Sequence, residues 1–118
     1  MKKIFIASDH AGYKLKSSIT TKLKKIIDLG PKSNDAVDYP DYAKKLSKKV
    51  ASNKGSFGIL ICGSGMGMAI AANKTKNIRA ALTFFLLLAV IAIPIPDPHI
   101  RIPKLPLLET TLLDSFFA

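Results

Sequence analysis

The chain has 118 residues and a formal net charge of +10, with 18 Lys and Arg against 8 Asp and Glu. This length suits one domain with a real core and excludes two. A single cysteine excludes an internal disulfide and favours a reducing compartment. The first ten residues, MKKIFIASDH, lack the long apolar stretch of a secretory signal. The sequence therefore predicts a cytoplasmic protein.

The positive charge is concentrated in residues 1–82, which carry 16 Lys and Arg against 5 Asp and Glu, whereas residues 83–118 carry 2 against 3. This excess of positive charge indicates an anionic partner, either a phosphate compound or a nucleic acid. The alternative is that the lysines coat solvated helix faces. We favour that alternative and predict no nucleic-acid partner, because no aromatic residues alternate with the lysines as base stacking would require.

Apolar periodicity predicts strands and helices in alternation along the first two-thirds of the chain. The predicted strands cover residues 2–7, 26–31, 57–62 and 78–82, and the predicted helices cover 13–25, 40–53 and 68–76. Asp38 and Pro40 mark the start of the second helix, and Lys25 runs into Ile26 with no connecting residues. This order predicts an α/β, Rossmann-like three-layer fold with a mostly parallel sheet.

The second predicted helix places its charges and its apolar residues on opposite sides. Its four lysines share one side, and Ala43, Leu46 and Val50 form the other; the lysines are Lys44, Lys45, Lys48 and Lys49. The apolar side is therefore predicted to face the core.

The composition changes after the fourth predicted strand. Residues 80–93 carry no charge, and five prolines follow between Pro94 and Pro106. Fourteen apolar residues are too few for an ordinary membrane span, so a buried strand or helix is predicted and no membrane partner. Proline lacks an amide donor, which makes an extended surface tail the expected form of the proline-rich part. We expect a core at residues 1–82 and an atypical or incomplete C-terminal part at 83–118.

Two short segments, Ser8-Asp9-His10 and Cys62 to Gly67, directly follow predicted strands and precede predicted helices. In an open parallel sheet, ligands bind outside the carboxyl ends of the strands. Helix N-termini favour anions, and glycines let the backbone close on a ligand. The same field favours the thiolate form of Cys62. The residues thus predict a small-anion site with a candidate thiol base.

These two segments have other possible interpretations. A phosphate-binding P-loop requires Gly-Lys-Ser/Thr, but Met68 follows Gly67, and no spacing of the glycines fits a dinucleotide fingerprint. A lone cysteine such as Cys62 is often a small buried hydrophobe, and an Asp9-His10 pair often makes structural hydrogen bonds. The residues alone leave the structural and the chemical interpretations open.

Four segments, SDHAGYKLK, DLGPKSNDAVDYPDYA, GILICGSGMGMAIAANK and IRAAL, closely resemble the ribose-5-phosphate isomerase B family, which includes the galactose-6-phosphate isomerase subunits. The resemblance covers residues 1–82. It implies aldose–ketose isomerisation of a sugar phosphate through an enediolate, with ribose 5-phosphate converted to ribulose 5-phosphate. A hexose 6-phosphate of galactose or allose is the alternative substrate within this class.

The resemblance also assigns roles to residues. Cys62 is implied as the base that moves a proton between sugar C2 and C1, and Ser64 stands at a catalytic position that is Thr or Ser in the family. The implied substrate-binding residues are Asp9, His10, Tyr39, Gly63, Gly65, Met66 and Gly67, of which the turn residues offer N–H groups to an oxyanion. No metal or organic cofactor is implied, and a homodimer is expected.

The resemblance ends at Leu82. The family continues with a His-Asn pair used for ring opening and with arginines that bind phosphate. Here His99 is followed by Ile100, and Arg101 has no counterpart, so these roles are not transferred. An abrupt loss of pattern is typical of a frameshifted or truncated reading frame, which translation of the other frames would test. The alternative function is therefore a catalytically impaired remnant that binds a sugar phosphate or a partner chain.

Overall fold

The computed structural model describes residues 3–83 and 89–94. Its strands and helices, in chain order, are β1 (Ile4–Ser8), α1 (Tyr13–Lys22), β2 (Ile26–Asp28), α2 (Tyr39–Ser52), β3 (Phe57–Ile61), α3 (Met66–Asn73), β4 (Ile78–Thr83) and β5 (Ala89–Pro94). The alternation up to β4 confirms the predicted α/β class. Among the elements described, no helix is both long enough and apolar enough to cross a membrane.

The five strands form one sheet in the order β2-β1-β3-β5-β4. β1 pairs in parallel with β2 and β3, whereas β5 pairs antiparallel with both β3 and β4. Four strands therefore run in one direction, as predicted for a mostly parallel sheet. The last predicted strand, β4, shares this direction, but the additional strand β5 lies between it and β3. Only residues 84–88 connect β4 to β5, and such a short connection permits antiparallel pairing but no parallel crossover.

The helices cover both faces of the sheet. Alternate strand residues, including Phe5 and Leu60, belong to a buried cluster with residues of α2 and α3. The residues between them, Ile6 and Ile59, form a second buried cluster with Ile19 of α1. Because successive side chains of each strand point to opposite faces, the sheet has a buried core on each of its two sides. The predicted three-layer, Rossmann-like arrangement is confirmed.

Helix α2 follows its predicted pattern. Ala43, Leu46 and Val50 are fully buried, and the four lysines of the other side are exposed. Asp38 occupies the N-cap position with no side-chain capping bond, and proline lies in the first turn, where its missing N–H costs nothing. The predicted division into an apolar and a basic side is therefore correct.

Several predicted boundaries are wrong. Helix α1 ends at Lys22 because Leu23 is extended, so three residues connect it to β2 and the predicted direct join does not exist. Helix α3 begins at Met66, two residues early, because Gly65 turns the chain in the left-handed region at φ 77°. Strand β2 ends at Asp28, before a turn at Gly30 with φ 105°. The predicted proline-rich tail after β5 lies outside the described residues.

Candidate active site

The two predicted loops meet at one edge of the sheet. Ser8, the last residue of β1, is paired with Ile61, the last residue of β3. The Asp9 N–H then donates a hydrogen bond to the Ile61 carbonyl at 3.1 Å. Asp9 and Cys62 therefore leave neighbouring strands at the same level, which confirms that the carboxyl ends of β1 and β3 bring these segments together.

The loop after β1 is pressed against the end of β3. A Cβ placed on Gly12 would lie 2.4 Å from the carbonyl oxygen of Ile61, so only glycine fits. The Gly12 N–H donates to Oδ1 of Asp9 at 2.8 Å, and Asp9 is 8% exposed. The Asp9 carboxylate thereby closes its own loop just before α1. This is the structural hydrogen bond that the sequence left open, and it leaves the second carboxylate oxygen available.

Cys62 begins the loop after β3 and is 8% exposed. Its Sγ accepts a hydrogen bond from the Gly65 N–H at 2.9 Å, and Gly65 is the N-cap of α3. The first N–H groups of a helix have no partner within the helix, and the helix dipole is positive at this end. The sulfur thus lies in the buried core and also accepts a hydrogen bond at the N-terminal end of α3.

The turn between Cys62 and α3 is open to solvent. Gly63, Ser64 and Met66 are exposed, whereas Gly65 is buried. The Met66 N–H donates to Oγ of Ser64 at 3.4 Å. Ser64 therefore supports the first turn of α3 and presents its hydroxyl at the surface of the turn.

His10 lies on the solvent side of the loop after β1. Its Nδ1 accepts a hydrogen bond from the Val37 N–H at 3.4 Å, which ties it to the segment before α2. In a neutral imidazole with Nδ1 as acceptor, the proton is on Nε2. The exposed His10 can therefore offer an N–H donor to an anionic or hydroxyl group.

Tyr39 is placed differently from the other predicted residues. Its ring lies over α3, where a Cβ on Gly67 would come within 2.7 Å of the ring carbons. Tyr39 and Gly67 line a groove between α2 and α3 with a volume of about 790 Å³, and Cys62, Asp9 and His10 do not line it. The predicted residues therefore form two groups. Asp9, His10 and Cys62 lie at the sheet edge, whereas Tyr39 and Gly67 line the groove between α2 and α3.

Replacing Gly67 by alanine is expected to destabilise the protein by about 1 kcal/mol, because the added methyl group displaces the Tyr39 ring. In a Tyr39→Ala background, the same replacement is expected to stabilise the protein by a few tenths of a kcal/mol, because alanine favours a helix over glycine. Urea unfolding of the four proteins measures this change of sign. An equal effect of Gly67→Ala in both backgrounds would show that the ring does not contact Gly67.

Lys16 is a site-supporting residue that the sequence analysis missed. Its side chain is 1% exposed, and its Nζ donates to both Asp28 carboxylate oxygens at 2.9 and 2.8 Å and to the Pro31 carbonyl at 2.7 Å. Asp28 Oδ1 also accepts the Gly30 N–H at 2.8 Å, and the Gly30 carbonyl accepts the Ser8 N–H at 3.1 Å. The buried Lys16 ammonium group thus stabilises the turn at Gly30 and Pro31, and this turn accepts a hydrogen bond from Ser8 at the end of β1.

No group of three or more His, Cys, Asp and Glu side chains in the described part of the chain could hold a metal ion. The groups that meet at the sheet edge are a thiol, a carboxylate, an imidazole and a turn of backbone N–H groups. This arrangement suits a small ligand with hydroxyl and anionic groups.

The comparisons with known proteins agree on one family. The sequence model described as Ribose/Galactose Isomerase matches residues 4–93. A probable ribose-5-phosphate isomerase B of Mycoplasma pneumoniae is 51% identical over 84 residues, which are 67% of this chain and 55% of that protein. A putative sugar phosphate isomerase of Rickettsia conorii is 51% identical over 83 residues, covering 67% of this chain and 58% of that protein.

Solved structures agree with the sequence matches. A ribose 5-phosphate isomerase from Thermotoga maritima is similar with a TM-score of 0.66 and 50% identity, over 70% of this chain and 59% of that one. The ribose-5-phosphate isomerase B from Mycoplasma genitalium with bound ribulose-5-phosphate gives a TM-score of 0.65 and 47% identity, over 69% and 57%. The chain belongs to the ribose/galactose isomerase family. It spans slightly more than half the length of the curated relatives it matches.

Proposed function

We propose that this chain isomerises a sugar phosphate between its aldose and ketose forms, with ribose 5-phosphate as substrate and Cys62 as the base. The observation that carries the proposal is the position of the Cys62 sulfur, which accepts the Gly65 N–H at the start of α3 beside the Asp9 loop. Membership of the family supports the reaction class. A galactose or allose 6-phosphate is the alternative substrate.

In the proposed reaction, the Cys62 thiolate removes the proton from sugar C2, and the electron pair moves toward the C1 carbonyl to give an enediolate. The thiol then returns the proton to C1, while the proton of the C2 hydroxyl passes to the oxygen on C1 and C2 becomes the carbonyl of the ketose. Negative charge developing on the sugar oxygen is stabilised by N–H groups of the turn from Gly63 to Gly67, which are fixed before the substrate arrives. Support for this role comes from the exposure of Gly63 and Ser64 and from the helix dipole at the same place.

The neighbouring loop would hold the substrate. His10 would donate from Nε2 to the phosphate or a sugar hydroxyl, and Asp9 would accept from a hydroxyl through the oxygen not used by Gly12. Ser64 would contribute its exposed hydroxyl to the oxyanion, and Tyr39 would bound the pocket from α2. Family resemblance supports these roles, and the common sheet edge of Asp9, His10 and Cys62 supports their acting together. The homodimer stays a prediction.

The test is turnover of ribose 5-phosphate by purified protein, with Cys62→Ala as the comparison. Loss of an acid–base group is expected to reduce the rate by at least about 100-fold. We expect the wild-type rate itself to be low, because no residue after Leu82 matches the family's His-Asn pair or its arginines. Equal turnover by both proteins would eliminate Cys62 as the base, and robust wild-type turnover would contradict the expected low rate.

A second candidate function is a catalytically impaired remnant that retains sugar-phosphate binding. The change of pattern after Leu82, where the family's His-Asn pair would follow, favours it. Saturable binding of ribose 5-phosphate without turnover in either protein would support the remnant. We also propose that the core at residues 1–82 carries this binding and that residues 83–118 contribute no conserved contact.

A further inference from the structure

The groove between α2 and α3 is rich in lysine. Four lysines line it, two from α2 and two from the C-terminal end of α3 and the residues that follow: Lys44, Lys48, Lys74 and Lys76. We call this cavity the lysine groove. Its volume of about 790 Å³ lies within the range of small-molecule binding sites. No acidic residue of the described chain lines it.

The charges in the lysine groove are not neutralised by the described part of the protein. Within that part, none of the four lysines forms an ion pair; the salt bridge found there joins Lys16 to Asp28. Lys44 and Lys48 are one helical turn apart on α2, a spacing at which like charges repel and destabilise a helix. A bound anion would remove this repulsion. The lysine groove is therefore an anion-attracting surface with no internal counterion in these residues.

The walls of the lysine groove suit a ligand larger than a single phosphate. Ala51 and Ala71 leave room for close approach, and Thr75 lines the groove near two of the lysines. Lys44 and Lys48 are about 6 Å apart along the helix axis, and the other two lysines lie on a different element. A linear chain of phosphates therefore suits lysines that lie on both walls of the groove better than a single phosphate group does.

We propose that the lysine groove binds an oligophosphate, meaning three or more linked phosphate groups, either free or carried by a nucleotide. Lysine acts as a point charge toward phosphate, and four such charges match the charge of a triphosphate. This site adjoins the turn at Cys62 and shares Tyr39 and Gly67 with the proposed sugar-phosphate pocket, but Cys62, Asp9 and His10 do not line it. Tyr39 and Gly67 close the end nearest that turn. The proposal does not depend on isomerase activity.

Helix α2 offers a matched control for the test. Lys45 and Lys49 are exposed on the same helix but do not line the groove, and Lys45 donates to the Leu29 carbonyl at 3.0 Å. The double variants Lys44→Gln/Lys48→Gln and Lys45→Gln/Lys49→Gln therefore lose the same net charge from the same helix. Thermal unfolding of both variants checks that each is folded before binding is measured.

Binding of sodium tripolyphosphate and of adenosine triphosphate to the full chain would be measured by calorimetry at low salt. The groove variant is expected to bind tripolyphosphate about tenfold more weakly than wild type, because two charge-assisted contacts are lost. The control variant should stay within about twofold of wild type, since its charges lie outside the groove. Equal affinity for both probes identifies the phosphate chain as the ligand, and tighter binding of adenosine triphosphate identifies a nucleotide.

Three results would overturn the proposal. The first is no saturable binding of either probe by the wild-type chain. The second is an equal loss of affinity in the two double variants, which would indicate attraction by net charge. The third is tighter binding of a single-stranded RNA oligonucleotide that depends on both lysine pairs, which would indicate a nucleic-acid surface.

Discussion

Replacing Gly12 by alanine is expected to lower the free energy of unfolding by about 3 kcal/mol and the melting temperature by roughly 10–20 °C. The backbone at Gly12, with φ −90° and ψ 0°, is accessible to alanine, so the loss does not come from strain in that residue. It comes from the position that the methyl group would occupy, 2.4 Å from the Ile61 carbonyl oxygen and 2.7 Å from its carbon. Backbone atoms in a paired strand cannot move aside as a flexible side chain can.

The matched control is Gly63→Ala, on the opposite side of the same contact. Among the described residues, a Cβ at Gly63 would meet only the Ala11 methyl group, at an ordinary 3.8 Å, so its effect is expected to be within about 0.5 kcal/mol of zero. Urea unfolding of both variants measures the difference. If Gly12→Ala proved as stable as Gly63→Ala, the loop after β1 could not lie against β3 as described.

The second large effect is expected for Lys16→Met, which keeps the length of the side chain and removes its charge. The change leaves the Pro31 carbonyl without its donor and Asp28 without its partner, and we expect a loss of about 3 kcal/mol. This value is at the lower end of the range for buried ion pairs because the Asp28 side chain is 41% exposed and can be partly hydrated. Equilibrium unfolding in urea measures it.

Lys14→Met is the control for Lys16→Met, because Lys14 is exposed on the same helix. It is expected to change stability by no more than about 0.5 kcal/mol. Asp28→Asn adds a finer test: it retains an oxygen that can accept the Gly30 N–H but leaves the buried Lys16 ammonium without a counterion, so it should also cost more than Lys14→Met. Equal stability of the two methionine variants would mean that the ammonium group does not hold the turn at Gly30 and Pro31.

The sequence was sufficient to predict how the site at the sheet edge is assembled. The segments after β1 and β3 each follow a short apolar strand, and parallel strands end at the same edge, so Asp9 and Cys62 had to lie near each other. Helix α2 was equally predictable, since the opposition of Leu46 and Val50 to the lysines leaves one possible buried side. Local periodicity was enough for both predictions.

Other features depend on contacts that no local pattern encodes. β5 pairs with β3 as well as with β4, and this choice depends on how all the strands are arranged in the sheet. Tyr39 lies over Gly67 because two helices pack, which the spacing along the chain does not reveal. Lys16 did offer a signal: in the helix predicted over residues 13–25 it lies on the apolar side, three residues before Ile19. A charged residue in that position predicts a buried partner, and Asp28 was available to fill the role.

The pairing of Ser8 with Ile61 makes the spacing between the thiol and the carboxylate a property of the hydrogen-bond ladder. A slip of one residue between β1 and β3 would move Asp9 by about 3.3 Å relative to Cys62 and would exchange the inward and outward faces of the strand. The strand register therefore determines both the separation of Asp9 from Cys62 and the set of side chains in the core, and a change in register would alter both. Connections at the opposite edge of the sheet are free to change length while the reactive groups keep their separation.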